Sequence, residues 1–146
     1  MKKVASILII LFLYNCGYSS IYKNVKSQNF KFEIIKTNGD NEMNNLIKNE
    51  IRLYSNRDTN NIYDLSIDTD YKKEILTKNS AGVITDYKLT VTSKFTINFE
   101  EKTQIVQFKE DMNIKNQTDR FEQATYEKNI KRNFASSIRE KLMFEM

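Results

Sequence analysis

The sequence predicts an α/β protein of the α+β kind: a two-layer sandwich, a four-stranded sheet with two helices on one face. The order is β-α-β-β-β-α, after an N-terminal lipoprotein signal peptide. Three observations carry this expectation. Residues 63–114 alternate between apolar and polar types in three long runs. Residues 41–54 and 120–144 repeat apolar side chains at helical spacing. The first fifteen residues are a basic start and an apolar run that ends at the only cysteine of the chain.

Lys2 and Lys3 open the chain, and an apolar run from Val4 to Leu13 follows, interrupted only by Ser6. It falls short of the roughly 20 apolar residues that span a bilayer, so it reads as a secretory signal. Cys16 at its end turns secretion into lipoprotein export. The lipoprotein peptidase cuts before a cysteine that has received diacylglycerol, and Leu13 holds the usual aliphatic position three before it. Tyr14 and Asn15 depart from the small residues usual next to such a cysteine. The expected division is a signal peptide over 1–15, a lipidated tether over 16–29 and one sandwich domain over 30–146. Gly17, where an aspartate would favour inner-membrane retention, points to the outer membrane, lipid-anchored on its periplasmic side.

Composition narrows the chemistry. The net charge is +4, of which Lys2 and Lys3 supply two, so the expectation is no nucleic acid partner. There is no histidine, which removes the Ser-His-Asp and Cys-His pairs. With Cys16 given to lipid, a zinc site would have carboxylates alone. The three glycines are never clustered, so no phosphate-cradling loop is present. No pair stands out among the 19 acids as a glycosidase couple. No enzymatic activity and no cofactor are expected.

The elements follow in order. Phe30, Phe32 and Ile34 alternate with Lys31 and Glu33 in a first strand to Thr37, and Ile35 breaks the alternation. Thr37 to Asp40 is a turn, with Asp40 as N-cap of a helix from Asn41 to about Tyr54. Met43, Leu46, Ile47, Ile51 and Tyr54 form its apolar stripe. Tyr63 to Ile75, Tyr87 to Phe99 and Val106 to Ile114 then form an antiparallel meander. Its turns are Asn79 to Gly82 and Glu100 to Lys102. After a turn at Asn116 to Asp119, Tyr126, Ile130, Phe134, Ile138 and Leu142 recur every four residues in a helix from about Arg120 to Phe144. Lys131 and Arg139 are expected on other faces of that helix. Leu89, Val91, Phe95 and Ile97 should face Ile130, Phe134 and Ile138. The opposite sheet face, with Asp68, Asp70, Lys72, Lys88, Thr90, Thr92, Lys94 and Thr96, should meet water or a polar partner.

The export signal, Cys16-Gly17-Tyr18, the aromatic tether at Tyr22, this element order and the closing Ile138-Arg139-Glu140-Lys141-Leu142 together resemble the LPS-assembly lipoprotein family, LptE (also called RlpB). The resemblance implies a non-enzymatic outer-membrane lipoprotein. It would plug and help assemble the outer-membrane β-barrel of LptD type, for delivery of lipopolysaccharide to the outer leaflet. The partners implied are that barrel, lipopolysaccharide, and the membrane through the lipid anchor. Lipopolysaccharide phosphates would meet Lys72, Lys73 and Lys78 on one side of the Asn79 turn, and Lys115 and Arg120 at the turn into the last helix. Two rival classes fit the same anchor. One is an accessory or structural outer-membrane lipoprotein of another envelope machine. The other is a lipoprotein hydrolase, which would need a closed pocket with shifted carboxylates.

Overall fold

The computed structural model describes residues 30–55 and 59–146. The signal, Cys16 and the tether lie outside the described residues. The elements are β1 (Lys31–Gly39), α1 (Asn41–Tyr54), β2 (Ile62–Lys78), β3 (Ile84–Phe99), β4 (Lys102–Lys115) and α2 (Arg120–Phe144). They form one four-stranded sheet in the order β1-β2-β3-β4. β1 runs parallel to β2 across the α1 crossover, and β2, β3 and β4 form the antiparallel meander. Both helices cover one face, α1 against β1 and β2, and α2 against β4 and α1.

The local chemistry is that of the residue pattern. The carboxylate of Asp40 accepts from Met43 N at 2.8 Å, and that of Asp119 accepts from Phe121 N and Glu122 N at 2.8 and 2.9 Å. Each satisfies amides that a helix start leaves open. Ile35, which broke the alternation, is the extra residue of a β-bulge between Ile34 and Lys36. Asn79 Oδ1 accepts from Ala81 N and Val83 N and closes the β2–β3 turn, in which Gly82 takes a positive φ of 77°.

The core lies between the layers. Leu65, Ile67, Leu89, Val91, Phe95 and Ile97 from the sheet are buried with Met43, Ile47 and Ile51 of α1 and Ile130, Phe134, Ile138 and Leu142 of α2. In the middle of this face Thr69 and Ser93 stand opposite each other, buried, with hydroxyls 3.1 Å apart.

The structure corrects the expected stripes at three points. Tyr126 is 37 % exposed and Ile75 is 52 % exposed, because β2, β3 and the first turns of α2 continue past the region where both helices cover the sheet. Met112, on the edge strand β4, is also left open. Lys131 and Arg139 do not face away from the core. Both are buried in the seam between the helices. Lys131 Nζ reaches Glu42 at 2.7 Å, and the Arg139 guanidinium lies 3.7 Å from Glu50 and 3.9 Å above the Tyr54 ring. Glu42 and Glu50 are eight residues apart, as are Lys131 and Arg139, so the two helices run parallel at constant register.

Candidate functional site

The long meander gives the molecule two ends. At one end lie the β2–β3 turn, the exit of β4 and the start of α2. At the other lie the starts of β1 and β2, the β3–β4 turn and the ends of both helices.

The five cations expected to meet phosphate all fall toward the first end, but on different surfaces. Lys73 shares the inner face with Tyr71 and Leu89, whereas Lys72 points to the outer face and pairs with Asp70 at 2.9 Å. Lys115 pairs in register with Asp86 on that outer face. Lys78 is exposed beside the turn. Only Lys73 and Arg120 line a common feature, an open pocket of about 440 Å³ between the sheet and the start of α2. Tyr87, Gln117, Gln123 and Glu127 also line it.

Lys73 is not free there. Its Nζ donates to Glu127 Oε2 at 2.7 Å and lies 4.4 Å above the Tyr87 ring. The Tyr71 hydroxyl donates to Glu127 Oε1 at 2.8 Å, and Lys131 lies 4.3 Å above the Tyr71 ring. Burial pushes the Glu127 carboxyl up, but the hydrogen bonds from Lys73 and Tyr71 and the charges of Lys73 and Lys131 outweigh it and hold the group below the usual carboxylate range. Asp86 is lowered as well, through hydrogen bonds from Thr77 and Thr85 and the charge of Lys115. A general acid needs the opposite shift. Among the described residues no group of three or more carboxylates could hold a metal ion.

The sequence did not reveal Glu127 or Gln123 as part of this pocket. Gln123 Oε1 accepts from Gln117 N at 2.8 Å, and its buried amide nitrogen has no partner. Both are polar residues in the first half of α2, and nothing in the helical periodicity marked them.

The second candidate surface is the outer sheet face. Asp68 stands opposite Lys94, Asp70 opposite Thr92, and Glu74 opposite Lys88. Lys88 also bridges to Asp111 of β4 at 3.2 Å. No described element covers this face. The opposed charges satisfy one another along the strands, and the threonines between them leave hydroxyls free to meet water or another polar surface. No helix among the described residues is long and apolar enough to cross a membrane.

No family model and no curated protein matches the sequence. Solved structures do match the fold. The crystal structure of rare lipoprotein B from Shewanella oneidensis superimposes with a TM-score of 0.55 at 14 % identity, covering 77 % of this chain and 96 % of that one. A putative lipoprotein from Caulobacter crescentus superimposes with a TM-score of 0.55 at 7 % identity, covering 78 % of this chain and 85 % of that one. The chain therefore has the fold of rare lipoprotein B.

Proposed function

We propose that this protein is an outer-membrane lipoprotein of the LptE (rare lipoprotein B) type. In this reading it is anchored through acylated Cys16 on the periplasmic side and seated as a plug in an LptD-type barrel that passes lipopolysaccharide to the outer leaflet. The observation that carries the reading is the fold, shared over 96 % of rare lipoprotein B, behind an export signal that ends at a lone cysteine. The uncovered outer face of β2, β3 and β4 supports it, because a polar sheet suits a polar barrel lumen. Polar complementarity of this kind sets register and partner choice more than affinity. The role is one of binding and positioning and needs no catalytic group.

For the ligand, Lys73 and Arg120 line the open pocket, whereas Lys72 and Lys115 lie across the sheet on its outer face and Lys78 beside the turn. Phosphates of lipopolysaccharide would compete with Glu127 for Lys73. Of the five cations, Arg120 and Lys78 take no part in the ion pairs described above.

The test is purification of the lipidated protein from outer membranes. The expected result is a one-to-one complex with a large barrel and loss of surface lipopolysaccharide on depletion. Recovery without any barrel, with surface lipopolysaccharide unchanged, would overturn the plug role and leave an accessory lipoprotein of another envelope machine. Anchoring is tested separately: Cys16→Ala should leave the precursor uncleaved and abolish lipid labelling.

A further inference from the structure

Apolar side chains gather at the end of the molecule where β1 begins. Leu53 in the last turn of α1 is 76 % exposed, and Phe144 at the end of α2 is 90 % exposed. Ile62, at the start of β2, is open as well. Behind them Phe30 packs edge-on against Phe32 and Tyr63, and Tyr63 stacks on Phe99 with centroids 4.2 Å apart. Parallel packing of the helices brings these groups to one level. The register that pairs Lys131 with Glu42 and Arg139 with Glu50 brings Phe144 to the level of Ser55 along the helix axes, and the Ser55 hydroxyl accepts from Phe32 N at 3.0 Å.

The chain enters the described domain at this same end, at Phe30, fourteen residues after Cys16. We propose that in the lipidated protein before it is seated in a barrel this end is a second membrane contact, a face that rests on the lipid surface around the anchor, with Leu53, Ile62 and Phe144 set into the headgroup boundary. The inference rests on the reading of Cys16 as the lipid anchor. Apolar area buried at that boundary adds to the grip of the acyl chains.

Chain length fixes which end faces the lipid. Fourteen residues reach at most about 46–50 Å. The seventeen residues of β2 extend about 53 Å from this end toward the β2–β3 turn. An upright domain with that turn on the lipid would hold Phe30 beyond the reach of the anchor. The turn also has open apolar residues, Leu76 and Val83, which makes it the natural control. Lys31, Arg52 and Lys102 at the anchor end are balanced by Glu100, Glu101 and Glu145, so the contact is apolar and does not require anionic lipid.

The chain has no tryptophan, so one introduced indole reports one place. The mature lipidated protein carrying Phe144→Trp, Leu53→Trp or Val83→Trp is reconstituted in zwitterionic phosphatidylcholine vesicles with brominated acyl chains. Emission from the first two should shift to the blue and be strongly quenched, with little change in high salt. Emission from Val83→Trp should stay that of an indole in water. Flotation with the vesicles reports the anchor independently. Protein that floats with unquenched indoles at positions 53 and 144 overturns the contact while the anchor stands. Equal quenching at position 83 overturns it too, because the domain then lies flat. Failure to float overturns the anchor reading, and this inference with it.

Discussion

The Tyr71 hydroxyl donates to Glu127 Oε1 at 2.8 Å, and this bond ties the middle of β2 to the first half of α2. Phe121 is 79 % exposed and Tyr126 is open, so few apolar side chains hold those turns down. Polar bonds take over the task. Lys73 from β2 adds a second bond to the same carboxylate.

The network predicts a pH profile. Glu127 ionises below its ordinary value of 4.5 in the folded protein. Its stabilising effect is therefore complete above that value and lost as pH falls through the lowered one. Tyr71 shifts the other way, above its ordinary value of 10.0, through burial first and the Glu127 bond second. The stability tied to its neutral hydroxyl is present below pH 10.0 and lost as the pH rises further. Urea midpoints measured against pH should show both limbs. Glu127→Gln should flatten the acid limb and Tyr71→Phe the alkaline one. At neutral pH Tyr71→Phe should cost about 1.5–3 kcal/mol, the range for a bond to a charged partner.

Phe134 and Phe121 provide a contrast on one helix. Phe134 is buried in the core. Its replacement by alanine should cost about 3–5 kcal/mol by denaturant unfolding. Phe121→Ala should stay within about 0.5 kcal/mol, as surface changes do. A loss below about 1 kcal/mol at Phe134 would mean that this helix face is not packed on the sheet.

Gly39 and Gly82 both hold positive φ, at 83° and 77°, yet they should respond differently to alanine. A Cβ at Gly39 would lie 2.0 Å from the backbone oxygen of Thr69, the acceptor for Asp40 N where β1 passes into α1. A Cβ at Gly82 meets nothing within 4 Å. Gly82→Ala should cost about 1–2 kcal/mol, the left-handed backbone penalty alone. Gly39→Ala should cost clearly more and leave the protein poorly folded. Thermal melts of the two variants give the comparison.

The element order and both helix boundaries were legible because short-range rules act together in this chain. Asp40 and Asp119 cap, the stripes repeat at helical spacing, and the alternation of residues 63–114 admits one sheet face. The bulge at Ile35 was legible as an interrupted alternation. The helix–helix seam was missed, since Lys131 and Arg139 are residue types normally solvated. The paired eight-residue spacings of Glu42 with Glu50 and Lys131 with Arg139 were the sequence signal for it. The cation cluster was only partly legible. Lys72 and Lys73 are neighbours in sequence, but the two-residue strand period sends them to opposite faces. Exposure of Ile75 and Tyr126 depends on how far two long strands outrun two shorter helical contacts, a tertiary quantity that periodicity does not contain.

Thr69 and Ser93 test how the core tolerates polarity. They are fully buried and opposite each other in register, with hydroxyls 3.1 Å apart. Each satisfies the other, so the pair costs little as long as it stays a pair. Thr69→Val alone leaves the Ser93 hydroxyl without this partner in an apolar layer, and Ser93→Ala alone does the same to Thr69. A buried polar group left unpaired costs about 1–3 kcal/mol, whereas removing both partners at similar shape is close to neutral. The two single variants should therefore each be destabilised by about 1–3 kcal/mol. The double variant should be more stable than the sum of the singles predicts, by an interaction energy of about 0.5–3 kcal/mol. Urea unfolding of the four proteins closes the cycle. Strict additivity would mean that the two hydroxyls do not depend on each other, and that water or a backbone carbonyl satisfies each one separately.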